Sequence, residues 1–111
     1  MAKDMKLAFL LDFYGGLLTE KQAAALDGYY NQDMSLSELA EDMGISRQGV
    51  MAFLRQGEKH LMEFEDKLGL AKRFSEISEG LREMRREVEA LGTETERQRL
   101  IGLIERISEN I

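Results

Sequence analysis

The chain has 111 residues, 43% hydrophobic and 32% charged, which is typical of a globular protein with one modest core. It has no cysteine and a single histidine, which excludes a disulfide framework and a thiolate or multi-histidine metal site. No signal peptide or bilayer-spanning apolar run is visible, and no proline interrupts a helix. We therefore expect a cytoplasmic, all-α protein that is not an enzyme, with no cofactor, no metal ion and no membrane insertion.

The first predicted helix is the most apolar segment of the chain. Asp4 can cap its start, and the Gly15-Gly16 pair should end it. Its apolar side chains follow the 4-3-4 spacing of one helix face: Leu7, Leu11, Tyr14 and Leu18.

Capping boxes predict the starts of the next two helices. In "TEKQ" (19–22) and "SLSE" (35–38), the hydroxyl can accept from the backbone N–H three residues on, while that residue's side chain reaches back. The first of these helices should run to about Tyr30 and end in the turn-forming stretch "NQD". The second should stop at Gly44, a residue suited to the left-handed position that closes a helix.

A fourth, longer helix should begin after a Ser46 cap and end at Gly69. Its apolar side chains keep helical spacing if Gly57 fills one slot: Val50, Leu54, Leu61, Phe64 and Leu68. We predict that Val50 and Leu54 are core residues.

The third and fourth helices, with the glycine turn between them, form a helix-turn-helix pattern. In such motifs the first exposed turn of the second helix contacts base edges or phosphates, which points to Ser46, Arg47 and Gln48. Polar candidates further along that helix are Arg55, Gln56 and Lys59. A plain structural corner is the alternative, because many helix pairs turn on a glycine.

The C-terminal third carries a heptad pattern in which apolar residues alternate at spacings of 4 and 3: Leu70, Phe74, Ile77, Leu81, Met84, Val88 and Leu91. Gly92 should end this helix, and the capping box "TETE" (93–96) should open a last helix that folds back on it. The apolar stripe of that last helix is Leu100, Ile104, Ile107 and Ile111. We therefore predict a helix-turn-helix domain, 1–69, and a helical extension, 70–111, which packs on it or forms a dimer interface within one structural domain overall.

The stretch 18–61, with its "LTEKQ" opening and "SLSELAEDMGISRQGV" core, resembles the region-four domain of bacterial sigma factors. Residues 5 to about 70, including "LLDFYGGLLTEKQ", are more closely similar to the YlxM family, small helix-turn-helix proteins encoded beside the signal recognition particle GTPase in Gram-positive bacteria. The resemblance implies a sigma region-four-like helical bundle, here with long heptad-bearing C-terminal helices. It also implies a DNA-binding regulatory protein and a part in the signal recognition particle pathway, with components of that particle as partners.

The net charge of −6 argues against tight binding to DNA. Although Arg47, Arg55 and Lys59 outnumber Glu58 locally, the first sixty residues hold six basic side chains against nine acidic ones. Sigma recognition helices are rich in Arg, Lys and Gln at positions where this chain has Gly49, Met51 and Ala52. Two hypotheses stay open: a weak DNA reader, and an interaction factor that docks a protein or ribonucleoprotein without reading DNA sequence.

Other candidate residues have simpler interpretations. Tyr29 and Tyr30 could stack on bases, but packing against the first helix is the favoured interpretation. His60 lies near the edge of the apolar stripe, where a boundary or surface position is expected. The alternating arginines and glutamates of residues 82–89 indicate a solvated helix face.

The heptad stripe is longer than its neighbours in sequence can easily cover. We therefore expect a homodimer, since two-fold pairing is the commonest way to cover such a surface. The alternative is a monomer whose heptads pack onto the first helix.

Overall fold

The computed structural model describes residues 3–111, and within that range the chain forms helices and turns without a β-strand. The described residues form six α-helices: α1 (Met5–Tyr14), α2 (Glu20–Leu26), α3 (Leu36–Met43), α4 (Arg47–Leu68), α5 (Leu70–Glu89) and α6 (Glu94–Glu109). The prediction of an all-α fold is confirmed. The chain divides into two compact units, Met1–Ala71 (unit one) and Lys72–Ile111 (unit two).

The helix ends lie where the capping signals predicted them. The Asp4 side chain accepts a hydrogen bond from the Lys6 backbone N–H. Thr19, Ser35 and Thr93 each form both hydrogen bonds of a capping box. Three glycines have the positive φ that closes a helix: Gly44, Gly69 and Gly92.

The helix that was expected to run to Tyr30 changes its hydrogen bonding after Leu26 and continues as a π-helical turn, Asp27–Asn31. At this place Leu39 packs onto the bare backbone of Gly28, where a Cβ would lie 2.5 Å from the leucine Cδ2. A π-turn inserts an extra residue into a helix and displaces the backbone locally. The apolar periodicity of the sequence does not show this change.

Unit one packs α1, α2 and α3 against the long helix α4. Val50 and Leu54 are buried at 0% and 3% exposure, which confirms the prediction that they belong to the core. Gly57 lets α2 pack closely on α4, because a Cβ there would lie 2.5 Å from Cδ1 of Leu26. Other core side chains are Leu10, Tyr14, Leu26, Leu39 and Leu61.

A buried hydrogen-bond network joins α1, α4 and the start of α5. The Tyr14 hydroxyl donates to Glu65 Oε1 at 2.6 Å and accepts from the Leu70 backbone N–H at 3.0 Å. The same Glu65 oxygen accepts from the Ala71 N–H at 3.1 Å. The first two backbone amides of α5 thus find acceptors on α1 and α4. Burial and the glutamate raise the pKa of Tyr14 above its ordinary value of 10.

Unit two contains the rest of α5 and α6, which fold back on each other across the Gly92–Thr93 turn, as predicted. Leu81 and Ile104 are buried at 7% and 5% exposure and line one recess between the helices. An Arg85 guanidinium nitrogen lies 3.4 Å from Glu105 Oε1. The predicted stripe separates into two rows, because Phe74, Leu81 and Val88 are wholly or partly buried while Ile77, Met84 and Leu91 stay exposed.

Candidate nucleic-acid interface

The turn between α3 and α4 has the geometry of a helix-turn-helix corner. Gly44 takes a left-handed conformation with φ of 68°, and its N–H donates to the Glu41 carbonyl at 3.3 Å. The Ile45 N–H donates to the Ala40 carbonyl at 3.0 Å. These two bonds form a Schellman motif, which ends α3 sharply and lets α4 start after only three intervening residues.

The start of α4 is exposed and well capped. Ser46 Oγ accepts from the Gly49 N–H at 3.0 Å, which leaves the hydroxyl hydrogen available to donate. Arg47 and Gln48 occupy the first helical positions, and both side chains are exposed. Backbone N–H groups in this first turn lack acceptors within the helix and carry the positive end of the helix dipole. The corner therefore presents two polar side chains beside a weakly positive backbone.

Three of the predicted contacts share one side of α4. Arg47 and Gln48 line a shallow recess together with Met51, and Met51 also lines the neighbouring recess that contains Arg55. Arg55 lies eight residues after Arg47, which is about 12 Å along the helix axis. The structure thus groups Arg47, Gln48 and Arg55 around Met51, a methionine that the sequence analysis had counted only as a missing polar contact.

The remaining two contacts are placed differently. Gln56 is exposed, but its position is about half a turn around α4 from Arg47, so these two side chains cannot face the same groove wall. Lys59 is exposed on the outward side, further along α4, with its Nζ 4.0 Å from Glu63 Oε1. A contact at this distance between exposed groups leaves the ammonium accessible to another anion.

Gly49 lies close to the residues of the turn. A Cβ at this residue would lie 3.3 Å from Ser46 Oγ and 3.4 Å from Ile45 Cδ1. Gly49 therefore faces the turn instead of an open groove, and its lack of a side chain serves the tight corner.

Acidic groups lie close to this face. Glu58 lines the same recess as Arg55 and accepts a hydrogen bond from the Tyr30 hydroxyl at 3.0 Å. Burial and this carboxylate raise the pKa of Tyr30, so the phenol stays protonated at neutral pH. On α3 the exposed carboxylates are Glu38, Glu41 and Asp42. The corner consequently has a limited positive field, as the sequence charge predicted.

Lys3 is a basic residue of this region that sequence reasoning missed. Its Nζ lies 2.7 Å from Asp33 Oδ1, donates to the Tyr29 carbonyl and sits 4.4 Å from the centre of the Tyr29 ring. No pattern in the sequence connects residue 3 with residue 33. Both Tyr29 and Tyr30 are partly buried against the core, which agrees with the packing interpretation.

His60 is a boundary residue, as expected. Its ring stacks on Phe64 with centroids 6.3 Å apart, and Nδ1 lies 3.5 Å from Glu63 Oε2. Across residues 3–111 no cluster of three histidine or acidic side chains is arranged to hold a metal ion. In the same described range, no helix has the length and apolar character that crossing a membrane requires.

Comparison with known proteins gives a consistent family assignment. The family model described as "UPF0122: Putative helix-turn-helix protein, YlxM / p13 like" matches residues 1–101. A UPF0122 protein of Thermoanaerobacter sp. (strain X514) is 40% identical over 105 residues, covering 95% of this chain and 90% of the relative. One from Acetivibrio thermocellus is 37% identical over 111 residues, covering 100% and 95%. One from Clostridium kluyveri is 47% identical over 79 residues, covering 71% of each.

Proposed function

The chain belongs to the YlxM/p13-like family (UPF0122), and on that premise we propose that it is a cytoplasmic, non-enzymatic DNA-binding regulator. Arg47 and Gln48 contact base edges. The Ser46 hydroxyl and the first backbone N–H groups of α4 face a phosphate. Arg55 and Lys59 contact the phosphate backbone further along. Gln56 contributes least, because it lies on the other flank of α4.

The observation that carries this proposal is the exposure of Arg47 and Gln48 directly behind the Schellman turn. Arginine at this position can form a bidentate pair with guanine, which discriminates by about 1–3 kcal/mol. Glutamine can do the same with adenine. Both side chains are exposed, so they can contact a ligand without disturbing the core.

The proposal includes a homodimer. One chain offers three basic side chains to the proposed contact, Arg47, Arg55 and Lys59, within a protein of net charge −6. Specific DNA-binding proteins commonly neutralise six or more phosphates. Two copies would double the basic set, and the exposed apolar row of unit two supplies a surface for pairing.

The experiment is a salt titration of binding to a random-sequence DNA duplex. Four phosphate contacts, made by Arg55 and Lys59 of each chain in a dimer, should give a log–log slope of about −4. Arg55→Ala, which removes two of these contacts per dimer, should reduce the magnitude of the slope by about 2. The control is Arg82→Ala, the same charge change on an exposed arginine of unit two, which should leave the slope unchanged. A wild-type slope near zero would overturn the proposal.

A second candidate function is favoured by the charge. The exposed carboxylates of α3 and the net charge of −6 suit docking to a protein or ribonucleoprotein better than to bare DNA. The family resemblance suggests a component of the signal recognition particle pathway. A rise in fluorescence anisotropy of the labelled chain with the purified particle, and none with duplex DNA, would support this alternative.

A further inference from the structure

Unit two has an outer face made of apolar side chains that nothing in the unit covers. It comprises residues of α5 and of α6 that are between 45% and 66% exposed: Ile77, Met84, Leu91, Leu100, Leu103 and Ile107. Single exposed apolar residues are ordinary, whereas six at helical spacing form a contiguous patch. Such a patch marks an interface in a protein that is otherwise rich in charge.

Both helices contribute to the same side of the hairpin. On α5, Ile77 and Met84 lie about 50° around the helix axis from the inward-facing Leu81. On α6, Leu100 and Ile107 lie about 50° around the axis from the inward-facing Ile104, in the same direction of rotation. Because α5 and α6 run antiparallel, rotations of the same size and direction about the two helix axes, each counted along its own helix, place these four side chains on the same side of the hairpin. The outer face is therefore continuous across the two helices.

We infer that this outer face binds the same face of a second copy, with the two-fold axis passing beside Gly80. The inference rests on the homodimer of the proposed function and gives it a geometry. Arg73 and Glu87 stand seven residues before and seven after Gly80. An antiparallel copy of α5 centred there places Arg73 opposite Glu87 of the partner subunit, and the reverse pair forms by symmetry. It also places Ile77 within one residue of the position opposite Met84 of the partner subunit.

The second helix is symmetric about the same axis. On α6, Leu100 lies three residues before Leu103, and Ile107 lies four residues after it. Gly80 lies nine residues before the end of α5 at Glu89, and Leu103 lies nine residues after the start of α6 at Glu94, so the two residues are at nearly the same level of the hairpin. One axis perpendicular to the helices therefore serves both, and two hairpins would form a four-helix bundle.

Gly80 fits the centre of such an interface. It lies in the middle of α5, where glycine weakens a helix, and a Cβ added there would meet no atom within 4 Å. No atom of residues 3–111 lies close enough to Gly80 to require a missing side chain there. A partner helix packed on the bare backbone at the axis would account for it.

The size of the outer face agrees with a dimer. Six apolar side chains about half exposed present roughly 500 Å² per chain, and a stable interface buries about 800 Å² per partner. Homodimer interfaces are about 65% apolar, which leaves the remainder to flanking polar groups such as Arg73 and Glu87.

The first test uses the absence of cysteine in this chain. Gly80→Cys should oxidise to a covalent dimer at micromolar concentration, because the two thiols meet at the axis. Gly102→Cys is the matched control: its site is also a helical glycine with open space around it, but it lies on the opposite side of α6 from the outer face. Equal cross-linking of the two variants would overturn the inference.

The second test distinguishes antiparallel from parallel pairing. Arg73→Glu and Glu87→Arg should each raise the dimer Kd about 10-fold, measured by analytical ultracentrifugation, because each places like charges opposite one another. The double variant restores both pairs and should return the Kd to within about threefold of wild type. The antiparallel arrangement would be overturned if neither single variant changed the dimer Kd, or if the double variant had a higher Kd than either single variant.

A wild-type chain that remains monomeric at 100 µM would also overturn the inference and leave the outer face to a different partner. That result does not decide whether α4 reads DNA, since the salt slope of a monomer would still report its own phosphate contacts. Conversely, a chain that dimerises but shows a salt slope near zero would support this interface and contradict the proposed DNA binding.

Discussion

Replacing Gly57 with alanine tests how closely α2 crosses α4. Gly57 is buried in the middle of α4, and an added Cβ would lie 2.5 Å from Cδ1 and 3.3 Å from Cγ of Leu26. It would also lie 3.6 Å from Cβ of Gln22. Leu26 is itself fully buried, so it has no solvent-filled space into which to move.

Two opposing contributions determine the change in the free energy of unfolding. Alanine favours the helix over glycine by about 1 kcal/mol. Carbon atoms in contact normally sit about 3.5–4.0 Å apart, so Leu26 would have to retreat by about 1 Å. Extra methyl groups in a well-packed core cost about 1–3 kcal/mol. Because both Leu26 and α2 must move, we expect Gly57→Ala to lose about 1–2 kcal/mol net.

The assay is urea unfolding followed by circular dichroism, with Gly102→Ala as the matched control. Gly102 is also helical, but an added Cβ there would meet nothing within 4 Å. This control should gain about 0.5–1 kcal/mol from helix propensity alone. If Gly57→Ala raised the urea midpoint as Gly102→Ala does, the close crossing of α2 over α4 would be refuted.

Three further predictions concern the core, the network at α5 and the recognition helix. Leu54→Ala should lower the free energy of unfolding by about 2–5 kcal/mol in urea titration, because the side chain is 3% exposed; an unchanged midpoint would contradict its place in the core. Tyr14→Phe should lose about 1–3 kcal/mol, since it leaves the Leu70 N–H without the hydroxyl that accepts from it and removes the hydroxyl that donates to Glu65. Since the pKa of Tyr14 is raised in the fold, its contribution is complete below pH 10 and should decline as pH rises beyond 10; a Phe variant with the same alkaline slope as wild type would contradict this. Arg47→Ala should weaken binding to a selected DNA site by about 1–3 kcal/mol in a fluorescence titration, and equal affinity would remove Arg47 from the interface.

The helix boundaries could be predicted from the sequence because their causes are local. A hydroxyl at the cap, an acceptor side chain three residues later and a glycine after the last turn act over at most six residues. Ser46 and Gly44 illustrate this, since one hydrogen bond and one backbone conformation define the corner that positions Arg47. The core face of α4 followed in the same way from its periodicity.

Interactions between distant residues could not be predicted from spacing. Tyr14 and Glu65 are 51 residues apart, and Lys3 and Asp33 are 30 apart, so no local pattern connects them. The heptads predicted an apolar stripe but not its separation into two rows, because that depends on where α6 lies. Gln56 was grouped with Arg47 by polarity and proximity in sequence, whereas helical geometry places it on the other flank.

The location of the DNA contact on α4 is tested most directly by amide chemical shifts in a titration with a random-sequence duplex at low salt. The proposed function predicts that the perturbed amides cluster at Arg47, Gln48 and Arg55, with smaller changes on α1 and α2. Perturbations confined to unit two, or none at duplex concentrations that saturate binding, would contradict the assignment of α4 as the DNA-reading helix.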